Sequence, residues 1–203
     1  MFLDAPVTLF LLIVNVLIGV YTSSADPSLV GRMAFRPAQV LRDREWYRFI
    51  TAGFLHVGIA HLAFNMVTLF FFGPVVEGIL GPVRFALLYI GSDVAANALT
   101  MARHRKNPTY SAVGASGAIS GVVFSYCLFD PFGLLYIFLA IPMPAILFAV
   151  LYVVFSVQAS RQGGERIAHE AHLGGAIGGL ALTILLYPAA LSFFVAQVLD
   201  RLG

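Results

Sequence analysis

Charged residues are sparse in this chain and unevenly placed, and their spacing limits the fold more than any other feature. Residues 5–25, 49–76, 107–129, 131–160 and 171–199 carry no Asp, Glu, Lys or Arg, and 85–102 carries only Asp93. About 20 mostly apolar residues cross about 30 Å of hydrocarbon as a helix, so each run is a candidate membrane span. Charged residues make up 11 % of the chain and hydrophobic residues 60 %, with a mean hydropathy of +0.89. Soluble domains usually carry about 25 % charge. Too few polar groups remain to cover a water-facing surface, which excludes soluble, disordered and nucleic-acid-binding classes. The net charge of +2 says nothing about partners. Cys127 is the only cysteine, so an internal disulfide and a cysteine-based zinc site are excluded.

The expectation is an all-α membrane protein, one domain over 1–203 with six transmembrane helices. The spans are expected at about 6–22, 57–75, 84–102, 113–129, 143–158 and 167–187. Pro142 and Pro144 would break a helix begun at Phe132, so 131–142 is read as a loop dipping toward the membrane. Pro188 helps to end the sixth span. The first six residues lack the basic region of a cleaved signal peptide, so the first span is expected to be retained. The stretch 23–50 mixes Arg32, Arg36, Arg42, Arg44 and Arg48 with Phe35, Trp46 and Tyr47, which suits a membrane interface. It is read either as a solvated loop with interfacial anchors or as a loop packed into the fold.

Polar side chains are costly within a membrane and therefore informative. His61 and Asn65 are four residues apart and share one face of span two, whereas His56 lies about 140° round the helix and cannot share that face well. Span four opens with Gly114-Ala-Ser-Gly117, and span six opens near Ala168-His-Glu-Ala-His172. Spans two, four and six start on the same side of the membrane, so parity alone brings Ser116, His172, His61 and Asn65 to one side at similar depth. Gly117 and Gly121, Gly174 and Gly178, and Gly175 and Gly179 each recur at four residues, the spacing that lets membrane helices approach closely.

Serine is a weak nucleophile and needs an adjacent base, and imidazole has the proton affinity for that task. An oxyanion intermediate needs preorganised donors. Asn65, His61 and the first-turn amide of Ser116 can supply them. No acid is placed to orient His172, since Glu170 points to another face, so a dyad is expected rather than a triad. Asp93 and Asn97 are placed to share a hydrogen bond.

Together these residues resemble the rhomboid family of intramembrane serine proteases. The resemblance runs from about Glu45 to Gly179. It includes Glu45-Trp-Tyr-Arg48, the trio His56, His61 and Asn65, then Gly73, Glu77 and Gly81, Gly114-Ala-Ser-Gly117, and Ala171-His-Leu-Gly-Gly175. It implies a rhomboid-like bundle with a partly embedded first loop, in the six-span prokaryotic form. It implies Ser116 as nucleophile, His172 as general base rather than His169, and His61, Asn65 and the Ser116 amide as oxyanion stabilisers. Gly114, Gly117, Gly121, Gly175, Gly179, Arg48 and Glu77 would be structural supports. The implied substrates are single-span or other membrane proteins, met in the lipid bilayer with no metal, cofactor or nucleic acid.

Orientation carries a conflict. The loops on the side of the site hold ten basic residues, and the other side holds Arg84 and Arg201. The positive-inside rule places the ten-residue side in the cytoplasm. The resemblance implies the reverse, with the site opening to the non-cytoplasmic face of a prokaryotic plasma membrane, and that orientation is expected here. Two other readings were weighed. One is a proteolytically silent rhomboid-like protein that binds membrane clients, which would be expected to lack the serine or the base. The other is an ion carrier using the histidines and Asp93, which leaves Gly114-Ala-Ser-Gly117 unexplained.

Overall fold

The computed structural model describes residues 4–137, 140–162 and 169–202. The first two residues of the sixth expected span, 167 and 168, and Arg166 lie outside them. Helix α1 (Pro6–Ser24) is followed by three short helices, α2 (Ser28–Met33), α3 (Pro37–Asp43) and α4 (Arg48–Thr51), and a 3₁₀ turn over Ala52–Phe54. Then come α5 (Ile59–Leu80), α6 (Pro82–His104) and α7 (Ser116–Phe129). A two-stranded antiparallel ribbon, β1 (Leu134–Ile137) and β2 (Ile141–Pro144), leads into α8 (Ala145–Gln162), α9 (His169–Leu186) and α10 (Ala189–Leu202).

By length and composition α1, α5 and α6 can each cross a membrane, and α9 with α10 passes the same test as a pair bent by 105°. Helix α7 and the apolar part of α8 are shorter. Large apolar side chains such as Phe10, Leu17, Phe64 and Leu185 face outward, while Thr8, Asn15, Ser92, Thr100 and Thr183 are buried. This inside-out pattern suits hydrocarbon surroundings. Thr100 and Thr183 donate to carbonyls four residues back in their own helices, so their hydroxyls find partners without water, and Asn15 Nδ2 donates to Leu11 O in the same way.

Several boundaries differ from the sequence reading, for physical reasons. Helix α5 runs to Leu80 rather than ending near 75, because the charge of Glu77 is not exposed. Glu77 is buried and accepts hydrogen bonds from the Val7 and Thr8 amides at 2.9 and 2.7 Å and from Thr8 Oγ1 at 2.7 Å. A carboxylate there satisfies first-turn amides of α1 and meets the positive end of its dipole. Gly73 permits the approach, since a Cβ would lie 2.6 Å from Thr8 Cγ2. Gly81, with φ +78°, then reverses the chain before Pro82 opens α6. Replacing Glu77 with alanine strands two amides and a hydroxyl, at about 1–3 kcal/mol for each unpaired donor. The expected result is a clearly lower thermal unfolding midpoint in detergent; an unchanged midpoint would detach α1 from α5.

The segment 131–142 contains β1 and the start of β2, paired in register Leu134↔Pro144 to Ile137↔Ile141, so the fold is not purely helical. Helix α10 was not foreseen. Pro188 ends α9 and a new helix begins directly after it, with Gln197 Nε2 donating to Phe129 O at 3.0 Å at the end of α7.

The first loop packs into the fold. Phe35, Val40 and Ala52 are buried with Phe49 and Met101 beside them. Arg48 is buried, donating to Glu45 Oε2 and to Ala34 O, both at 2.7 Å. That guanidinium holds the Glu45 carboxyl below its ordinary range.

Helix α9 lies between α6 and α7. Its two rows of glycine face different neighbours. Gly174 and Gly178 meet α6, where a Cβ on Gly174 would lie 2.9 Å from Ala95 O. Gly175 and Gly179 meet Gly117 and Gly121 of α7, and in both cases a Cβ would press on backbone atoms. The expected seam between spans four and six is therefore one of two.

Candidate active site

Ser116 is the first residue of α7, and a loop segment tied to the first loop by backbone hydrogen bonds delivers it there. Gly114 N donates to Ala52 O at 3.0 Å, and Ala112 exchanges both backbone hydrogen bonds with Phe35. Gly114 has φ +131°, a region open to glycine, and a Cβ there would lie 2.6 Å from His61 Cε1. Glycine thus lets the imidazole of His61 lie against the backbone two residues before the serine.

His172 lies in the first turn of α9. Its Nε2 is 2.7 Å from Ser116 Oγ, and both residues are partly exposed. Gly117 and Gly175 set this distance, because they put the α7 and α9 backbones in contact one and three residues beyond the pair. The His169 ring sits edge-on to Phe155 of α8 at 5.6 Å and edge-on to His172 at 6.4 Å. Ser120 Oγ donates to Ser116 O at 2.7 Å and pairs with Tyr152 OH of α8 at 2.7 Å, a contact with no sequence signal. The Tyr152 ring is 6.4 Å from that of His172.

Asn65 is buried one turn beyond His61, and its Nδ2 has no hydrogen-bond partner among the described residues. The same holds for Nδ1 of His61. His56 precedes α5 instead of belonging to it, so the helical angle does not apply, and its ring sits edge-on to His61 at 5.1 Å.

The shared Asp93–Asn97 hydrogen bond does not form. Asn97 Nδ2 donates to Phe49 O at 3.0 Å, and Asp93 points at Gly53, where any Cβ would strike the carboxylate. A cavity of about 20 Å³ between Asp93, Gly53, Ser116 and Gly117 has room for about one water molecule. Glu170 is turned away from His172 and bonds His104 and Tyr110. Among the described residues, no three His, Cys, Asp or Glu side chains converge to hold a metal ion.

Residues 43–189, most of the chain, match the sequence profile of the Rhomboid domain. The chain belongs to the rhomboid family. Among curated rhomboid relatives, 82 residues are 44 % identical to the "Putative rhomboid protease YdcA" of Bacillus subtilis, covering 40 % of each chain. The "Rhomboid protease GluP" of the same organism is 32 % identical over 163 residues, 76 % of this chain and 29 % of that one. The mitochondrial "RHOMBOID-like protein 12" of Arabidopsis thaliana is 27 % identical over 145 residues, 64 % of this chain and 43 % of that one. The chain thus spans less than half the length of these rhomboid relatives. Family membership and the apolar helices make it an integral membrane protein with protease relatives. The rhomboid stretch includes His61, Asn65, Ser116 and His172, whereas α1 lies outside it.

Proposed function

We propose that this chain is an intramembrane serine endopeptidase that cleaves membrane proteins within or near a transmembrane segment. The observation that carries this reading is the 2.7 Å approach of His172 Nε2 to Ser116 Oγ between two helices. Nε2 accepts the serine proton, with the ring hydrogen on Nδ1, while Oγ attacks the scissile carbonyl carbon. The carbonyl oxygen becomes an oxyanion that accepts from Asn65 Nδ2, the His61 ring and the Ser116 amide. The carbon–nitrogen bond then breaks, and His172 returns the proton to the leaving amine. Water attacks the resulting ester with His172 again as base, releasing the acid and restoring Ser116. Glu170 is engaged by His104 and Tyr110, so the mechanism is written with a dyad.

The accompanying proposal is one domain with six crossings by α1, α5, α6, α7, α8 and α9, in a prokaryotic plasma membrane with the site opening to the non-cytoplasmic side. Arg48, one of the ten basic residues on that side, is buried against Ala34 and Glu45, and the first loop that carries five of them packs into the fold. It is therefore not a free loop of the kind the positive-inside rule counts.

The test incubates purified protein in detergent with a generic single-span substrate, with and without a chelator. Cleavage should survive chelation and vanish in Ser116→Ala. Cleavage by the Ser116→Ala protein would end the serine mechanism. Asn65→Ala should lower kcat, since one oxyanion donor is typically worth about 10²–10³ in a serine hydrolase and two others remain here. An unchanged kcat would place Asn65 in packing instead.

A further inference from the structure

We propose that His104, Tyr110 and Glu170 form a latch that fixes the entry of α9 and so holds His172 against Ser116. This rests on the serine–histidine reading above. Glu170 is buried in the first turn of α9 and accepts two hydrogen bonds on one oxygen. Tyr110 OH donates to Oε1 at 2.8 Å, and His104 Nε2 lies 2.6 Å from the same atom. The His104 and Tyr110 rings stack at 3.7 Å. His104 ends α6, so a carboxylate at one helix start, the favourable place for negative charge, accepts an imidazole N–H from another helix end.

The latch joins three elements. Tyr110 belongs to the loop that delivers Ser116, which is also tied at Ala112 and Gly114 to the first loop. Holding Tyr110 to Glu170 therefore fixes the approaches to both α7 and α9 at one point. The glycine rows of α9 begin only at Gly174, beyond His172. The turn that carries the base precedes them, in the part of a helix where amides lack intrahelical partners and ends fray. Glu170 is two residues from His172, about 200° around the helix, so it acts through the backbone and is a positioning residue. Burial and the Glu170 carboxylate push the pKa of the Tyr110 phenol well above its ordinary value, so the hydroxyl keeps its proton and remains a donor.

The test uses the full chain in detergent and compares Glu170→Ala, Glu170→Gln and Tyr110→Phe with wild type. Labelling of Ser116 by a fluorophosphonate and the kcat and KM for a single-span substrate report on alignment. Amide exchange over 169–173 reports on the latch without any chemistry. Misplacement of a catalytic group by about 1 Å can cost about 10²-fold, so Glu170→Ala should slow labelling and kcat by about 10–100-fold with KM unchanged. Its first α9 turn should exchange faster. Glu170→Gln keeps a carbonyl acceptor at that position and should recover most of the loss. Tyr110→Phe removes one hydroxyl and should slow labelling by about three- to tenfold. Wild-type labelling and exchange in both Glu170→Ala and Tyr110→Phe would overturn the latch, as would a loss confined to KM. A wild-type protein that neither labels nor cleaves would instead defeat the serine–histidine reading, and the exchange comparison would still decide the latch.

Discussion

Replacing Ser116 or His172 with alanine should each abolish cleavage, and the double replacement should be no worse than either. In the proposed mechanism the two side chains work as one unit through the 2.7 Å contact. Without His172 the hydroxyl keeps its proton, and without Ser116 the imidazole has nothing to activate. Losses within such a unit do not add, and in a serine hydrolase each is on the order of 10⁶ in kcat. A fluorophosphonate should label Ser116 in wild type and fail to do so at any comparable rate in His172→Ala. Equal labelling would remove His172 from the mechanism. His169→Ala should retain most activity, because that ring packs on Phe155.

Replacing Gly175 should be nearly as damaging, although no reacting atom is touched. A Cβ there would collide with the Gly117 carbonyl oxygen and lie 2.7 Å from its carbon and 3.0 Å from Cα. Backbone of α7 cannot rotate aside as a side chain can, so α9 must move away. Valine and alanine should both inactivate, with valine the harsher, and overpacking typically costs about 1–3 kcal/mol in stability as well. Gly117 adjoins the nucleophile, so the shift acts directly on the serine–histidine distance. That distance has less than 1 Å of slack before it leaves hydrogen-bond range. Gly179→Ala meets Gly121 backbone in the same way, one turn further from the site. Gly78→Ala is the control, since a Cβ on that exposed face of α5 meets nothing within 4 Å and alanine favours helix. Activity and thermal unfolding in detergent check the series, and a fully active, stable Gly175→Ala would mean that the seam is loose.

Part of the site was legible because its signals are periodic. Glycines at four-residue spacing, a serine and a histidine at span starts of equal parity, and His61 with Asn65 on one helical face are all relations along one axis. Counting residues is enough to see them. The errors arose where a side chain's partner lies far away in sequence. Hydropathy alone ends a span before Glu77, but its charge is absorbed by α1, about 70 residues earlier. Asn97 was matched with its helical neighbour Asp93, whereas it bonds Phe49 O of the first loop. His56 was given a helical angle although the helix starts only at Ile59. The turn at Pro188 was read as an end because proline stops one helix as readily as it starts another.

The sequence by itself determined that the chain must bury itself in lipid, because so few charges cannot cover a water-facing surface. It also determined the periodic glycine faces. Only the tertiary structure decided that two backbones touch at Gly117 and Gly175. It also decided that Gly114 makes room for His61, and that His104, Tyr110 and Glu170 converge on a single oxygen atom. The reason is the range of the interactions. Hydropathy and helical period act along the chain, whereas a contact between residues 60 apart depends on how three helices settle against one another.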